Sequence, residues 1–387
     1  MSSDHVRVPF ADLYAQYLSI RAEIDSAMAG VLRTSAFIRG PYVETFEREF
    51  AEACGLKHAV SCANGTDALY IAIRALGVTA GDEVIVPAHS WISTSATVTQ
   101  AGGSVVFCDT DPETFTIDPR HAEALITPRT VGIIPVHLFG QPADMDAIMA
   151  IASRRRLWVI EDCAQAHLAR YRGRNVGTFG AVGSFSFYPG KNLGAMGDAG
   201  ALVTNDAALA ERMAMFARHG GLVKHDHQIE GINSRMDGLQ AAVLSVKLRY
   251  LRRWTTRRRE LAAEYQHGLG GTAGVDLPKE AADREHVYHL YVVRSERRDE
   301  LARHLADRGI QTVINYPMAL PFLPAYRRLG HSPADFPVSY GNQSRILSVP
   351  IFPEMTPEQQ AAVVDAVRAF CTHEEWGPPY KHGTAGH

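Results

Sequence analysis

The sequence predicts an α/β protein: a large domain on a mainly parallel sheet, then a smaller α+β domain. Three observations carry this. Short Val/Ile-rich runs alternate with helical segments as far as Phe216, which calls for right-handed βαβ units. Near residue 250 the pattern changes to long helices followed by mixed elements. And 387 residues exceed what one compact core usually holds. The division expected is 1–250, with an N-terminal helical arm, and 251–372, with 373–387 as a flexible tail.

The elements follow in order. Phe46 to Ala53 has helical spacing, and His58 to Ser61 reads as a short strand. A helix from Thr66 to Leu76 opens after Asn64-Gly65. Glu83 to Pro87 is a strand, Ser93 to Ala101 a helix, and Ser104 to Cys108 a strand. Thr116-Ile117-Asp118 opens a further helix, and Val131 to Val136 reads as a buried strand. Met145 to Ser153 is a helix, Leu157 to Ile160 a strand, Ala201 to Thr204 a strand and Ala207 to Phe216 a helix. Leu239 to Tyr265 reads as one or two long helices. Their basic side chains (Lys247, Arg249, Arg252, Arg253, Arg257, Arg258, Arg259) read as a solvated face. His289 to Val293 is a strand, Asp299 to Arg308 a helix, and Pro317 to Pro324 a loop. Thr356-Pro357-Glu358 opens the last helix with an N-cap, a first-turn proline and an acid.

Bulk properties narrow the function classes. A net charge of −3 gives no bias towards nucleic acid or membrane. No apolar run approaches the ~20 residues of a membrane span. Met1 to His5 lacks the basic start and apolar stretch of a secretory leader. Five cysteines without CxxC pairing point to a reduced, cytoplasmic protein and no metal site.

The chemistry gathers around Lys191. It follows the apolar, Ser-punctuated segment Gly183 to Gly190 and precedes the Gly-rich stretch to Gly200. A lysine set among Phe, Tyr and Met loses solvation, which lowers its pKa and makes it a nucleophile for an aldehyde. Pyridoxal 5'-phosphate is the obvious aldehyde. It requires a carboxylate for its ring nitrogen, a phosphate cradle and an aromatic plate. Asp162 ends a strand, where parallel sheets bind ligands. Asn64-Gly65-Thr66-Asp67 places a small-residue turn at a helix N-terminus, suited to an anion. Ser186 can add a hydroxyl to the same phosphate, and Trp91, after the strand Glu83 to Pro87, can stack on a flat ring. Taken singly, each of these residues also fits a structural role, as a cap, a buried strand serine or a core tryptophan.

These features occur in a familiar order. Asn64 to Leu69, Gly81 to Pro87, Pro135 to Gln141, Glu161 to His167, Phe185 to Gly194 and Gly231 to Ala242 together resemble the DegT-type (StrS-like) sugar aminotransferases. The resemblance runs from about Phe10 to Phe370. It implies the fold type I architecture of pyridoxal-phosphate enzymes, with a seven-stranded mixed sheet, and a homodimer with shared active sites. By the same resemblance, Lys191 carries the cofactor and moves the proton, and Asp162 pairs with the ring nitrogen. Gln165 meets the ring hydroxyl side, Gly65, Thr66 and Ser186 hold the phosphate, and Trp91 stacks on the ring. Asn233 reaches the partner subunit's phosphate, and Arg235 lines the entrance. L-Glutamate is the implied amino donor and a dTDP- or UDP-linked keto sugar the acceptor. Asn233-Ser234-Arg235 resembles members acting on 3-keto sugars, where 4-keto enzymes more often carry a central Tyr. A 4-keto sugar or a keto-cyclitol is the alternative acceptor, and a non-catalytic regulator the alternative class.

One segment departs from the family pattern. Where many relatives have His-Tyr-Pro, this chain has Asn315-Tyr316-Pro317. Asn315 cannot become cationic, so an anion contact made by that histidine would be weakened. His219, before Gly220, reads either as a substrate contact or as a helix C-terminal charge.

Overall fold

The computed structural model describes residues 6–372. The expected tail, 373–387, and the leader reading at Met1 to His5 lie outside the described residues. Seven strands form the central sheet: β1 (His58–Cys62), β2 (Glu83–Pro87), β3 (Ser104–Cys108), β4 (Thr130–Ile133), β5 (Trp158–Asp162), β6 (Val182–Ser186) and β7 (Gly200–Thr204). Their spatial order is β1-β7-β6-β5-β4-β2-β3. β3, β2, β4, β5 and β6 pair in parallel, and β7 is antiparallel to both neighbours, β6 and β1. All five residues of β2 are buried, as expected of a strand covered on both faces.

β4 is shorter than its apolar run. Pro135 has no N–H for the ladder, so regular pairing stops at Ile133. Beyond it, Asp162 N donates to Pro135 O and His137 N to Asp162 O, at 2.9 and 3.0 Å. These bonds tie the end of β5 to the 135–141 turn.

Residues 239–265 belong to one 32-residue helix, Gly238–Leu269. Its basic side chains do not all form a solvated face: Lys247 and Arg258 are 4% and 6% exposed. Each ends on buried carbonyls, which offsets the loss of water. Lys247 Nζ donates to Gly194 O at 2.8 Å, and Arg258 to Tyr288 O and Ile351 O at 3.1 and 2.8 Å. The first half of the helix packs on the cluster containing Phe46, Phe185 and Leu193. Its second half packs on a separate cluster with Tyr291, Leu301 and Val363.

That second cluster surrounds the antiparallel pair Tyr291–Arg294 and Ile346–Val349, with helices Arg298–Ala306 and Pro357–Thr372 against it. Gln359 N bonds Thr356 Oγ1, the expected cap. The first of these strands starts at Tyr291, not His289, because the preceding residues pair elsewhere. Val287 N donates to Gly140 O and Leu290 N to Phe139 O. Among the described residues, no helix is long and apolar enough to cross a membrane.

Candidate active site

The site begins with the alternation of β6. Side chains on a strand point to opposite faces in turn. Phe185, with Phe187 just beyond the strand, enters the aromatic cluster beneath the sheet, with ring centroids 5.0 to 5.4 Å from Phe50 and Phe46. Ser186 therefore faces the other way, towards the start of helix Gly65–Ala75. The approach is so close that a Cβ on Gly65 would lie 2.5 Å from the Cβ of Ser186. Asn64 caps this helix by accepting from Asp67 N at 2.8 Å. The N–H groups of Gly65 and Thr66 have no acceptor within the helix. Thr66 Oγ1 lies 2.7 Å from Ser93 Oγ. Three hydroxyls and two N–H groups thus converge where the helix dipole favours an anion.

Lys191 lies on the loop that leaves β6. The loop is closed tightly on itself: Lys191 N bonds Tyr188 O, Ala195 N bonds Phe187 O, and a Cβ on Gly194 would lie 2.1 Å from Pro189 O. Burial lowers the Lys191 pKa to about 8, against the opposing pull of Asp162. Asp162 is 4% exposed. Burial raises its pKa, opposed by hydrogen bonds from Ala164 N and Thr94 and by the Lys191 charge. The Thr94 hydroxyl donates to Oδ2 at 3.0 Å and Ala164 N to Oδ1 at 3.1 Å. A buried carboxylate with so few donors is suited to a cation.

On the other side lie the aromatic residues. Trp91 is no core residue: it is 58% exposed, with its ring centroid 5.6 Å from that of Tyr316. The Tyr316 phenol accepts from Gln165 Nε2 at 2.8 Å, and Gln165 Oε1 accepts from Phe139 N at 2.6 Å. One N–H of Gln165 remains for a ligand. Burial and the nearby Asp162 charge raise the Tyr316 pKa, so its O–H stays a donor. Asn315 turns away from this group: its Oδ1 accepts from Ser348 Oγ at 2.9 Å, in the small sheet.

The family profile of the DegT/DnrJ/EryC1/StrS aminotransferases matches residues 18–368. The chain belongs to this family. The dTDP-3-amino-3,4,6-trideoxy-alpha-D-glucose transaminase of Streptomyces venezuelae is 48% identical over 364 residues, covering 94% of this chain and 96% of that one. The erythromycin biosynthesis sensory transduction protein EryC1 of Saccharopolyspora erythraea is 47% identical over 362 residues, covering 94% and 99%. Among solved structures, S. venezuelae DesV in complex with a ketimine intermediate superposes with a TM-score of 0.93 at 47% identity, covering 95% and 99%. The protein is a pyridoxal-phosphate-dependent aminotransferase.

The residues present fit that cofactor. The Gly65–Ser186 approach leaves no room for a side chain where a phosphate would sit against the backbone, and Asp162 is a buried carboxylate in want of a cation. Gly65→Ala should raise the apoprotein's Kd for pyridoxal phosphate at least tenfold, about 1.4 kcal/mol. Fluorescence titration of the apoprotein measures it, and an unchanged Kd would remove Gly65 from the phosphate corner.

The remaining expected residues of the aminotransferase lie on the 219–235 segment. Asn233 is exposed and Arg235 half-buried. Between them Ser234 is buried, donating to Asp67 Oδ2 at 2.6 Å and accepting from Ala63 N at 3.0 Å. This ties the 233–235 segment to the anion turn. His219 is exposed, with its backbone N bonded to Ile232 O. Its side chain touches none of Lys191, Asp162 or Trp91 through any hydrogen bond or ring contact.

Sequence reading missed Ser93, Thr94 and His167, and it read Ser234 as a mark of the acceptor without its bonds to Asp67 and Ala63. His167 is fully buried beside Phe185 and Phe187, and burial together with the Lys191 charge lowers its pKa to about 3. Glu161 and His137 form a buried pair at 3.1 Å. With Cys163 they make the one cluster of metal-ligating side chains among the described residues. The Glu161 oxygens are already taken up by N–H donors of Gly177, Phe179, Gly180 and His137. The pair is a bracket for the end of β5, one residue from Asp162.

Proposed function

We propose that this aminotransferase moves the amino group of L-glutamate to C3 of a dTDP- or UDP-linked 3-keto-(6-deoxy)hexose. The observation that carries the substrate is the likeness, at 48% identity, to a transaminase whose name places the amino group at C3 of a dTDP sugar. The buried position of Ser234 supports the same reading. It is held between Asp67 and Ala63, donating to the one and accepting from the other. The Lys191–Asp162 pair supports catalysis over a purely regulatory role, since a binding module needs neither group.

Pyridoxal phosphate, when bound, supplies an electron sink for the pair left behind when a proton leaves the carbon bearing the amine. The chain's own residues do the rest. Lys191, its pKa lowered to about 8 by burial, would hold the cofactor covalently and, once displaced by the donor, would carry the proton between the two carbons. Asp162 would keep a proton on the ring nitrogen. Thr66, Ser186 and the Gly65 N–H would anchor the phosphate, Gln165 would face the ring hydroxyl, and Trp91 would cover the ring. Glutamate leaves as 2-oxoglutarate, and the keto sugar accepts the amine on the return half. Asn233 and Arg235 face the acceptor side, with Asn233 reaching the partner's phosphate in a cytoplasmic homodimer. His219 and Tyr316 border the sugar.

The test is stepwise. Glutamate should bleach the yellow holoenzyme, and a dTDP- or UDP-linked 3-keto sugar should restore the colour. Restoration by 4-keto sugars alone would overturn the C3 assignment. A colour that glutamate never alters would favour a regulator.

A further inference from the structure

The residue after the catalytic lysine is held at both ends of its side chain. Asn192 is 4% exposed, and its Nδ2 donates to Val287 O at 3.0 Å. Only the nitrogen end of an amide can donate, so Oδ1 is the end facing His289 Nδ1, at 3.2 Å. An oxygen acceptor there requires an N–H, which places the His289 proton on Nδ1. Burial, with the positive charges of Lys191 and Arg258, keeps the imidazole well below its usual pKa. His289 is therefore neutral, with its lone pair on Nε2.

The backbone around it is fixed as well. Val287 N bonds Gly140 O, Leu290 N bonds Phe139 O, and Arg258 donates to Tyr288 O. Phe139 N in turn is held by Gln165 Oε1. A continuous set of contacts runs from the lysine loop through Asn192 to the 287–290 segment, and on to the turn that carries Gln165.

We propose that His289 is a positioning residue for Lys191: through Asn192 it fastens the lysine-bearing loop to the 287–290 segment and sets the direction of the amine. This rests on Lys191 being the cofactor-bearing lysine. It assigns a role in the site to a segment of the smaller half, which neither the motif nor the comparisons single out.

The test uses holoenzyme of the wild type, His289→Leu, His289→Asn, Asn192→Leu and the double Leu variant. Two readouts are taken: the pH midpoint of the lysine-bound cofactor's absorbance band, and the single-turnover bleaching rate with glutamate. The two single Leu variants should shift the midpoint by about half a pH unit. They should slow bleaching ~20-fold, with the half-saturating glutamate concentration changed less than about threefold. The double variant should lose no more than either single one. His289→Asn, which keeps a donor near the Nδ1 position, should recover most of the rate. Losses that multiply in the double variant, an unmoved midpoint, or an Asn variant no better than Leu would each overturn the proposal. A wild type that shows the band but ignores glutamate defeats the donor assignment alone, because the midpoint needs no substrate. A wild type without the band defeats both.

Discussion

Lys191→Ala should lower turnover by at least ~10⁴-fold, more than about 5 kcal/mol of transition-state stabilisation, while the protein stays folded. In the proposed mechanism the covalent hold on the cofactor and the proton transfer both depend on this one amine. His167 is held neutral and fully buried. The pH dependence follows from the lowered pKa of about 8. At pH 7.4 roughly a fifth of such an amine is uncharged, against about one in a thousand for an ordinary lysine. Because only the uncharged form attacks an aldehyde, covalent uptake of pyridoxal phosphate by the apoprotein should quicken as pH rises through about 8 and level off above it. A rise centred near 10.5 would show that burial does not tune this amine. Bleaching by glutamate undiminished in Lys191→Ala would remove it from the chemistry altogether.

Asp162→Asn should lower the single-turnover rate with glutamate by ~10³-fold, near 4 kcal/mol, with cofactor still bound. The amide keeps the shape and can still accept from Thr94, but it offers no charge to hold a proton on the ring nitrogen. The complementary variant is Thr94→Val, which keeps the carboxylate and removes one of its two hydrogen bonds. A loss smaller than tenfold in Asp162→Asn would mean that the ring proton is held by another group.

Much of the fold was legible because buried parallel strands announce themselves as Val/Ile runs. β2 and β3 were read to the residue. β4 was overdrawn because an apolar run does not reveal where Pro135 ends the ladder. The antiparallel direction of β7 left no local mark, since strand direction is a property of connections rather than of side-chain pattern. In the site, Lys191, Asp162 and the Gly65 turn stood out because their residue types are unusual in those places. Thr94 did not. A threonine in a helix is ordinary, and its partner Asp162 is 68 residues away. Asn192 and His289 were missed for the same reason: they are joined by the packing of the 287–290 segment against the lysine loop. The buried Lys247 and Arg258 show the reverse error. A charged run was taken for solvated surface when two of its members end on interior carbonyls.

Those two side chains have a mechanical consequence. They project from a single uninterrupted helix, eleven residues apart, so their grips on Gly194 and on Tyr288 and Ile351 are separated by a rigid span of ~16 Å. The span cannot stretch, so the lysine loop and the base of the small sheet keep a fixed distance.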